Sequence, residues 1–178
     1  MKQNRTIIAG VLTAATMGLV ACSTLDVGQP PSVASNASWA LLPMANYTET
    51  PDAGDRVASI AESILHQKGG MDLKRFPVKD EKDTFILGNN AKLQQAAMDW
   101  ASQNRIQYAL TGSVQEWRYK TGVDGEPAVS VTFNLVDMTT GKIVWSATGS
   151  RSGWSRSSVG SVGQTLIDQL LNPLEHAH

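Results

Sequence analysis

The stretch AVSVTFNLVDMTTGKIVWSA, residues 128–147, decides the fold because apolar and polar residues alternate on both sides of a turn. In its first half the apolar face consists of Val129, Val131, Phe133 and Leu135. In its second half the face consists of Ile143, Trp145 and Ala147. Residues 137–141 have turn composition, and Gly141 can adopt positive φ there. The stretch predicts an antiparallel hairpin.

A further strand is predicted before this hairpin, over residues 106–119. Its apolar residues alternate with polar ones up to Val114, and the phase then changes at Glu116, because Trp117 and Tyr119 carry the apolar character beyond it. One extra residue in a β-bulge produces such a change. The chain from 106 to 147 therefore predicts a three-stranded antiparallel meander with a bulge near Glu116.

Two helices are predicted before the meander. For the first, Thr50 is the expected N-cap, Pro51 the first helical residue and Gly69-Gly70 the end. Its apolar face, at helical spacing, consists of Val57, Ile60, Ala61, Ile64 and Leu65. Residues 93–101 predict a second helix, whose narrow, alanine-rich face indicates close packing against a sheet.

A third helix is predicted after the meander, capped by Ser157 or Ser158 and stopped by Pro173. Its apolar face consists of Val159, Val162, Leu166, Ile167, Leu170 and Leu171. Gly160 and Gly163 lower the helix propensity by up to about 1 kcal/mol each. We expect both glycines to allow close approach to a neighbouring surface.

These elements, with short strands at 39–43 and 73–78, predict an α/β fold in which helices pack on a mixed β-sheet with a C-terminal three-stranded antiparallel meander. The expected single domain spans residues 38–173, followed by a polar tail at 174–178.

The amino terminus resembles a bacterial lipoprotein signal over residues 1–21. Lys2 and Arg5 precede an apolar segment at 7–20, too short to span a bilayer stably, and Cys22 closes the run Leu-Val-Ala-Cys. An ordinary secretory signal with an incidental cysteine is the alternative. Cys22 would carry the acyl chains, and Ser23, which is not the aspartate of inner-membrane retention, favours the outer membrane. Residues 22–37 are predicted to form a flexible tether.

Composition excludes some functions. Residues 1–21 hold two of the 15 basic residues and none of the 16 acidic ones, so the remaining chain has 13 basic and 16 acidic residues. This balance argues against nucleic-acid binding. Cys22 is the only cysteine, so a disulfide within the chain is impossible.

No residue pattern indicates catalysis. His66, His176 and His178 have no partners at metal-ligand spacing, and Gly141-Lys142 lacks the upstream glycine of a phosphate-binding loop. We therefore expect a protein that is not an enzyme and holds neither a cofactor nor a metal.

Two sets of residues remain as functional candidates. Trp154 stands on a small-residue loop between Arg151 and Arg156, which suits a membrane-water interface, although the ring could instead pack on the core or fill a subunit contact. The second set is acidic and consists of Glu49, Asp52 and Asp55 near the first helix and Asp124 and Glu126 at a hairpin tip. Repeated around an oligomeric ring, these acids would concentrate cations.

Several segments resemble a known family. They are Trp39–Pro43, Thr50-Pro51 with Gly54, Leu110–Gly112, Asp137–Trp145 and Ser152–Arg156. Over nearly all of residues 38–173, the chain resembles the PelC family of outer-membrane lipoproteins from Pel exopolysaccharide export. The broader group includes the curli secretion channel protein and outer-membrane activators of peptidoglycan synthases.

The resemblance implies a homo-oligomeric ring, expected to be a dodecamer, on the periplasmic face of the outer membrane at the mouth of a β-barrel exporter. The ring would guide a cationic polysaccharide electrostatically. Trp154 matches the family's membrane-facing tryptophan, and Asp124 would face the lumen. A docking module that activates an envelope enzyme, such as a peptidoglycan synthase, is the alternative. A curli-type pore is disfavoured because the hairpins are too short.

Overall fold

The computed structural model describes residues 23–68, 72–77, 90–122 and 125–176. Within these ranges the strands are β1 Ser23–Val27, β2 Ser38–Asn46, β3 Asp72–Arg75, β4 Tyr108–Tyr119, β5 Pro127–Asp137 and β6 Lys142–Ser152. The helices are α1 Ala53–Lys68, α2 Asn90–Gln103 and α3 Val159–Leu171, followed by a 3-10 helix at Asn172–His176. The six strands form one sheet in the order β1-β6-β5-β4-β2-β3.

The sheet is mixed, as the sequence predicts. Strands β4, β5 and β6 form the predicted antiparallel meander, whereas β2 runs parallel to both β3 and β4. The predicted α/β fold class is confirmed.

Helices cover both faces of the sheet, and β2 therefore has buried residues on both sides. Trp39 and Leu41 belong to the larger core, which α1 and α3 complete. Ala40 and Leu42 belong to a smaller core on the opposite face, where Ala97 of α2 packs. The alanine-rich face of α2 thus lies directly on the sheet, as predicted.

The bulge predicted near Glu116 is present, since the register between β4 and β5 shifts between Val114 and Glu116. A second shift, which the sequence did not predict, lies in β6: Leu135 pairs with Trp145 but Val136 pairs with Ile143. The extra residue turns Ile143 outward, and its side chain is 59% exposed. The prediction that Ile143 shares the buried face of Trp145 is therefore wrong.

Both predicted ends of the domain are corrected. Residues 23–27, predicted as part of a flexible tether, form β1 on the edge of the sheet. Val33 and Ala37, in the same predicted tether, are buried in the core. At the other end Leu174 is fully buried, because a 3-10 turn continues the chain past Pro173. The folded domain is longer than 38–173 in both directions.

The turn of the β5–β6 hairpin is held by one carboxylate. Asp137 Oδ1 accepts the main-chain N–H groups of Thr139 at 2.8 Å and Thr140 at 3.3 Å, and Gly141 has a φ of 68°. The hydrogen bond from the Thr139 N–H is the main cause that lowers the pKa of Asp137 below its usual value. The ionised form therefore stabilises the folded turn.

We expect Asp137→Ala to lower the melting temperature at neutral pH, with a difference from the parent that shrinks on acidification. Because the folded pKa is lowered, the stabilisation is present above the ordinary pKa of 3.8 and is lost as the pH falls through the folded pKa. Thermal melts of both proteins from pH 7 to pH 2 measure this. A difference that is constant with pH would contradict the role of the carboxylate.

Candidate functional site

The loops that carry most of the candidate residues meet at one end of the sheet, which we call the apical end. Parallel pairing of β2 with β4 places their carboxyl ends together. Antiparallel pairing adds the amino ends of β5 and β1 and the carboxyl end of β6. The apical end thus contains the β2–α1 loop (47–52), the described residues of the β4–β5 loop (120–122 and 125–126), the β6–α3 loop (153–158) and the start of β1.

Trp154 projects from the apical end on a turn held by main-chain hydrogen bonds. The Gly153 N–H donates to the Pro127 carbonyl at 2.9 Å, and the Ser157 N–H donates to the Trp154 carbonyl at 2.8 Å. The side chain is 58% exposed. The ring is therefore not part of the core, and a membrane contact or a subunit contact remains open to it.

Two arginines flank Trp154 in the sequence. Arg151 lies near the end of β6, in register with Ser23 on one side and Val129 on the other, and is half-buried. Arg156 is exposed on the loop. Two further residues, which sequence reasoning missed, complete this side: Tyr119 and Lys120 at the end of β4.

Tyr119 and Lys120 contact the Trp154 loop and the strand that leads into it. The Tyr119 hydroxyl is 3.4 Å from the Ser157 carbonyl, to which it donates, and the side chain is 52% exposed. Lys120 Nζ donates to Ser152 Oγ at 2.9 Å. The sequence signal was the aromatic and basic run 117–120 after the bulge, but only strand pairing shows that it lies beside residues 152–157.

The β2–α1 loop is fixed from within by Asn46. Its amide donates to the Thr50 carbonyl at 2.9 Å and accepts the Thr48 N–H at 3.0 Å. Thr50 was predicted as the N-cap of α1, but its hydroxyl donates instead to the Trp117 carbonyl at 2.5 Å. Asp52 adopts a φ of 58°, so the helix begins later, at Ala53. The predicted cap is therefore wrong.

The structure separates the candidate acids. Glu49 lines a groove of about 760 Å³, which also contains Tyr47 and the ion pair between Glu116 and Arg118. Asp55 lines a different depression beside Arg75 and Phe76. Asp52 is exposed in the β2–α1 loop.

Only one of the two hairpin-tip acids lies in the described part of the chain. Glu126 is exposed, and its carbonyl accepts the Lys120 N–H at 2.7 Å. Asp124 lies outside the described residues. Strands β6 and β2 are three strand spacings apart, about 14 Å. The basic Trp154 side and the Glu49 side therefore share the apical end and meet at Tyr119, which contacts Ser157 and also lines the groove with Glu49.

Two further findings concern the described part of the chain. It holds no group of three or more His, Cys, Asp or Glu side chains placed to bind a metal ion. None of its helices is long and apolar enough to cross a bilayer.

Comparison with solved structures gives clear relatives. The chain is 43% identical to the PelC dodecamer from Paraburkholderia phytofirmans, covering 86% of this chain and 98% of that one with a TM-score of 0.73. A single-substitution variant of that dodecamer is 44% identical, with coverages of 86% and 99% and the same TM-score of 0.73.

A less similar protein shares the fold. Lipoprotein GNA1162 from Neisseria meningitidis is 21% identical over 79% of this chain and 99% of its own, with a TM-score of 0.56. No protein-family model matches the chain, and no curated protein sequence does either.

Proposed function

This chain belongs to the PelC family, and from that membership we propose that it is an outer-membrane lipoprotein that forms a periplasmic homo-oligomeric ring. The ring would guide a cationic exopolysaccharide to a β-barrel exporter during secretion of biofilm matrix. Its role would be non-enzymatic. The observation that carries the proposal is the 43% identity over nearly the whole length of a protein that forms a dodecamer.

The anchor in this proposal is the lipid on Cys22. Two or more acyl chains hold a protein stably on a membrane, where one chain alone binds reversibly. Strand β1 begins at Ser23, directly after this cysteine, and its amino end lies at the apical end of the sheet. The position of β1 thus supports a membrane on the side of Trp154.

The distribution of charge at the apical end supports two separate roles, membrane contact on one side and attraction of the polymer on the other. Arg151, Arg156 and Lys120 lie on the Trp154 side, where they would meet the phosphates of lipid headgroups. Glu49 and Asp52 lie on the β2 side, where they would attract a cationic polymer. One acidic loop produces a weak electrostatic field, but the fields of identical loops repeated around a ring add together.

We expect the lipidated protein, extracted from outer membranes in mild detergent, to be a homo-oligomer with the mass of a dodecamer by native mass spectrometry. Crosslinking in intact cells should produce a ladder of species up to the same size. A monomer in both measurements would contradict the ring. That result would favour the alternative, a docking module that activates an envelope enzyme.

A further inference from the structure

The segment that follows Cys22 is paired to the sheet. All five residues of β1 lie in register with β6, from Ser23 opposite Arg151 to Val27 opposite Ala147. The pairing includes a hydrogen bond of 2.7 Å between the hydroxyls of Thr24 and Ser150. Just beyond the strand, the Gly28 N–H donates to the Ser146 carbonyl at 2.9 Å.

Two residues of β6 are shaped to hold this strand. Trp145 is buried, and its indole N–H donates to the Gly28 carbonyl at 2.9 Å. Gly149 has no side chain, and a Cβ there would stand 2.9 Å from the Leu25 side chain and 3.0 Å from the Thr24 carbonyl. The absence of a side chain at 149 therefore leaves room for β1 to lie close against β6.

The pairing fixes Ser23 at the apical end of the sheet. Cα atoms of consecutive residues are about 3.8 Å apart, so residue 22 is held within that distance of Ser23. Ser23 lies opposite Arg151, which precedes Trp154 by three residues. A free tether over residues 23–37 could reach about 50 Å. A paired β1 instead confines the lipid to the apical end.

We propose that β1 is a strap that fixes the lipidated amino terminus to the apical end. The apical surface formed by the start of β1, Trp154, Tyr119 and Lys120 then lies directly on the lipid surface. This inference rests on the proposed lipidation of Cys22. It adds Tyr119 and Lys120 as lipid contacts. It also gives the domain a fixed orientation on the membrane, where a flexible tether would leave the orientation free.

The chemistry of this surface fits a lipid headgroup region. Tyr119 and Trp154 are both more than half exposed, and each ring has an apolar body with a polar group, as aromatic residues at membrane interfaces do. Lys120 can keep its ammonium near lipid phosphates while its aliphatic stem lies along the surface. Strand β1 begins at this same end, so a lipid on the adjacent Cys22 would lie there.

The first test measures the proximity of the apical end to lipid. Because the proposed lipidation blocks the thiol of Cys22, the one cysteine of the chain, a cysteine introduced at Thr121 can be labelled uniquely with a fluorophore. The lipidated protein is placed in vesicles of phosphatidylethanolamine and phosphatidylglycerol containing a nitroxide-headgroup lipid. We expect quenching of a probe at T121C and little quenching at T139C, in the hairpin turn at the opposite end. Equal quenching at both positions, or none at 121, overturns the proposed surface.

The second test breaks the strap with a matched control. Because the Gly28 N–H faces β6, so do those of Asp26 and Thr24 at alternate positions, whereas that of Leu25 faces away. Proline removes a donor, so the double variant Thr24→Pro/Asp26→Pro should release β1, and Leu25→Pro should be tolerated at this sheet edge. We expect loss of quenching at T121C only in the double variant.

Each outcome of the second test is informative. Loss of quenching while the protein stays on the vesicles supports the strap. Unchanged quenching in the double variant overturns it, because β1 would then not set the orientation. If the parent protein carries no lipid and does not bind the vesicles, the proposed function itself fails. The parent protein provides a second measurement, since a strap requires slow hydrogen exchange at the amides of Thr24, Asp26 and Gly28, which face β6, in the membrane-bound protein.

Discussion

Replacing Gly163 with alanine is expected to lower the free energy of unfolding by about 1–3 kcal/mol, the usual cost of overfilling a packed core. A Cβ at position 163 would lie 2.4 Å from the nearest ring atom of Trp117. Trp117 is itself buried, so neither the ring nor α3 can move without disturbing the core. Chemical denaturation of the purified domain, followed by circular dichroism, measures the loss.

Gly160→Ala provides the matched control. Gly160 is in the same helix, but a Cβ there would meet nothing closer than the hydroxyl of Ser158, at 3.9 Å. Gly160 is the second residue of α3, so alanine should stabilise the protein through helix propensity by no more than about 0.5–1 kcal/mol, the gain found in a helix interior. Opposite signs at the two positions are the expected result. Equal effects at both would show that Trp117 does not press on α3 at Gly163.

The two glycines illustrate how far the sequence predicts the fold. Their cost to helix propensity indicates a neighbouring surface, and this is confirmed at Gly163 but not at Gly160, which faces outward. The pattern gives the spacing of residues along a helix. It does not show which of two nearby small residues meets the sheet, because that depends on how the helix is rotated against its neighbours.

The two bulges also differ in whether the sequence reveals them. The bulge near Glu116 is visible in the sequence because aromatic residues follow it and mark the new phase. The bulge in β6 is not visible, since Ile143 and Val144 are both apolar and either could fill the buried position. The structure leaves both side chains exposed, at 59% and 36%. A run of apolar residues therefore does not reveal a slip of one position.

The sequence predicted which residue types belong to the candidate site, but not how they are arranged on the surface. Trp154 with its arginines, and the acids near α1, are recognisable from composition and position. That they lie at one end of the sheet follows from the parallel pairing of β2 with β4, which no local pattern indicates. The strand at 23–27 was missed because it is short and on the sheet edge, with polar residues and a Leu25 that is 44% exposed.

Replacing Trp154 with alanine is expected to impair polysaccharide secretion while changing the free energy of unfolding by less than about 0.5 kcal/mol, as for most exposed side chains. The turn that carries Trp154 is held through main-chain atoms, which alanine retains. The lipid on Cys22 would still attach the protein to the membrane. What is lost, on the proposed function, is the second contact that orients each subunit.

Trp154→Tyr is the control, because tyrosine keeps an aromatic body with a polar group and should restore secretion at least in part. Secreted polymer and the mass of the oligomer are measured for each variant in the same cells. A ring that stays intact while secretion falls supports a membrane contact. Dissociation of the oligomer in Trp154→Ala would show instead that the indole of Trp154 fills a subunit contact. Since the sequence permits both roles and the exposed side chain excludes only a core position, this pair of measurements decides between them.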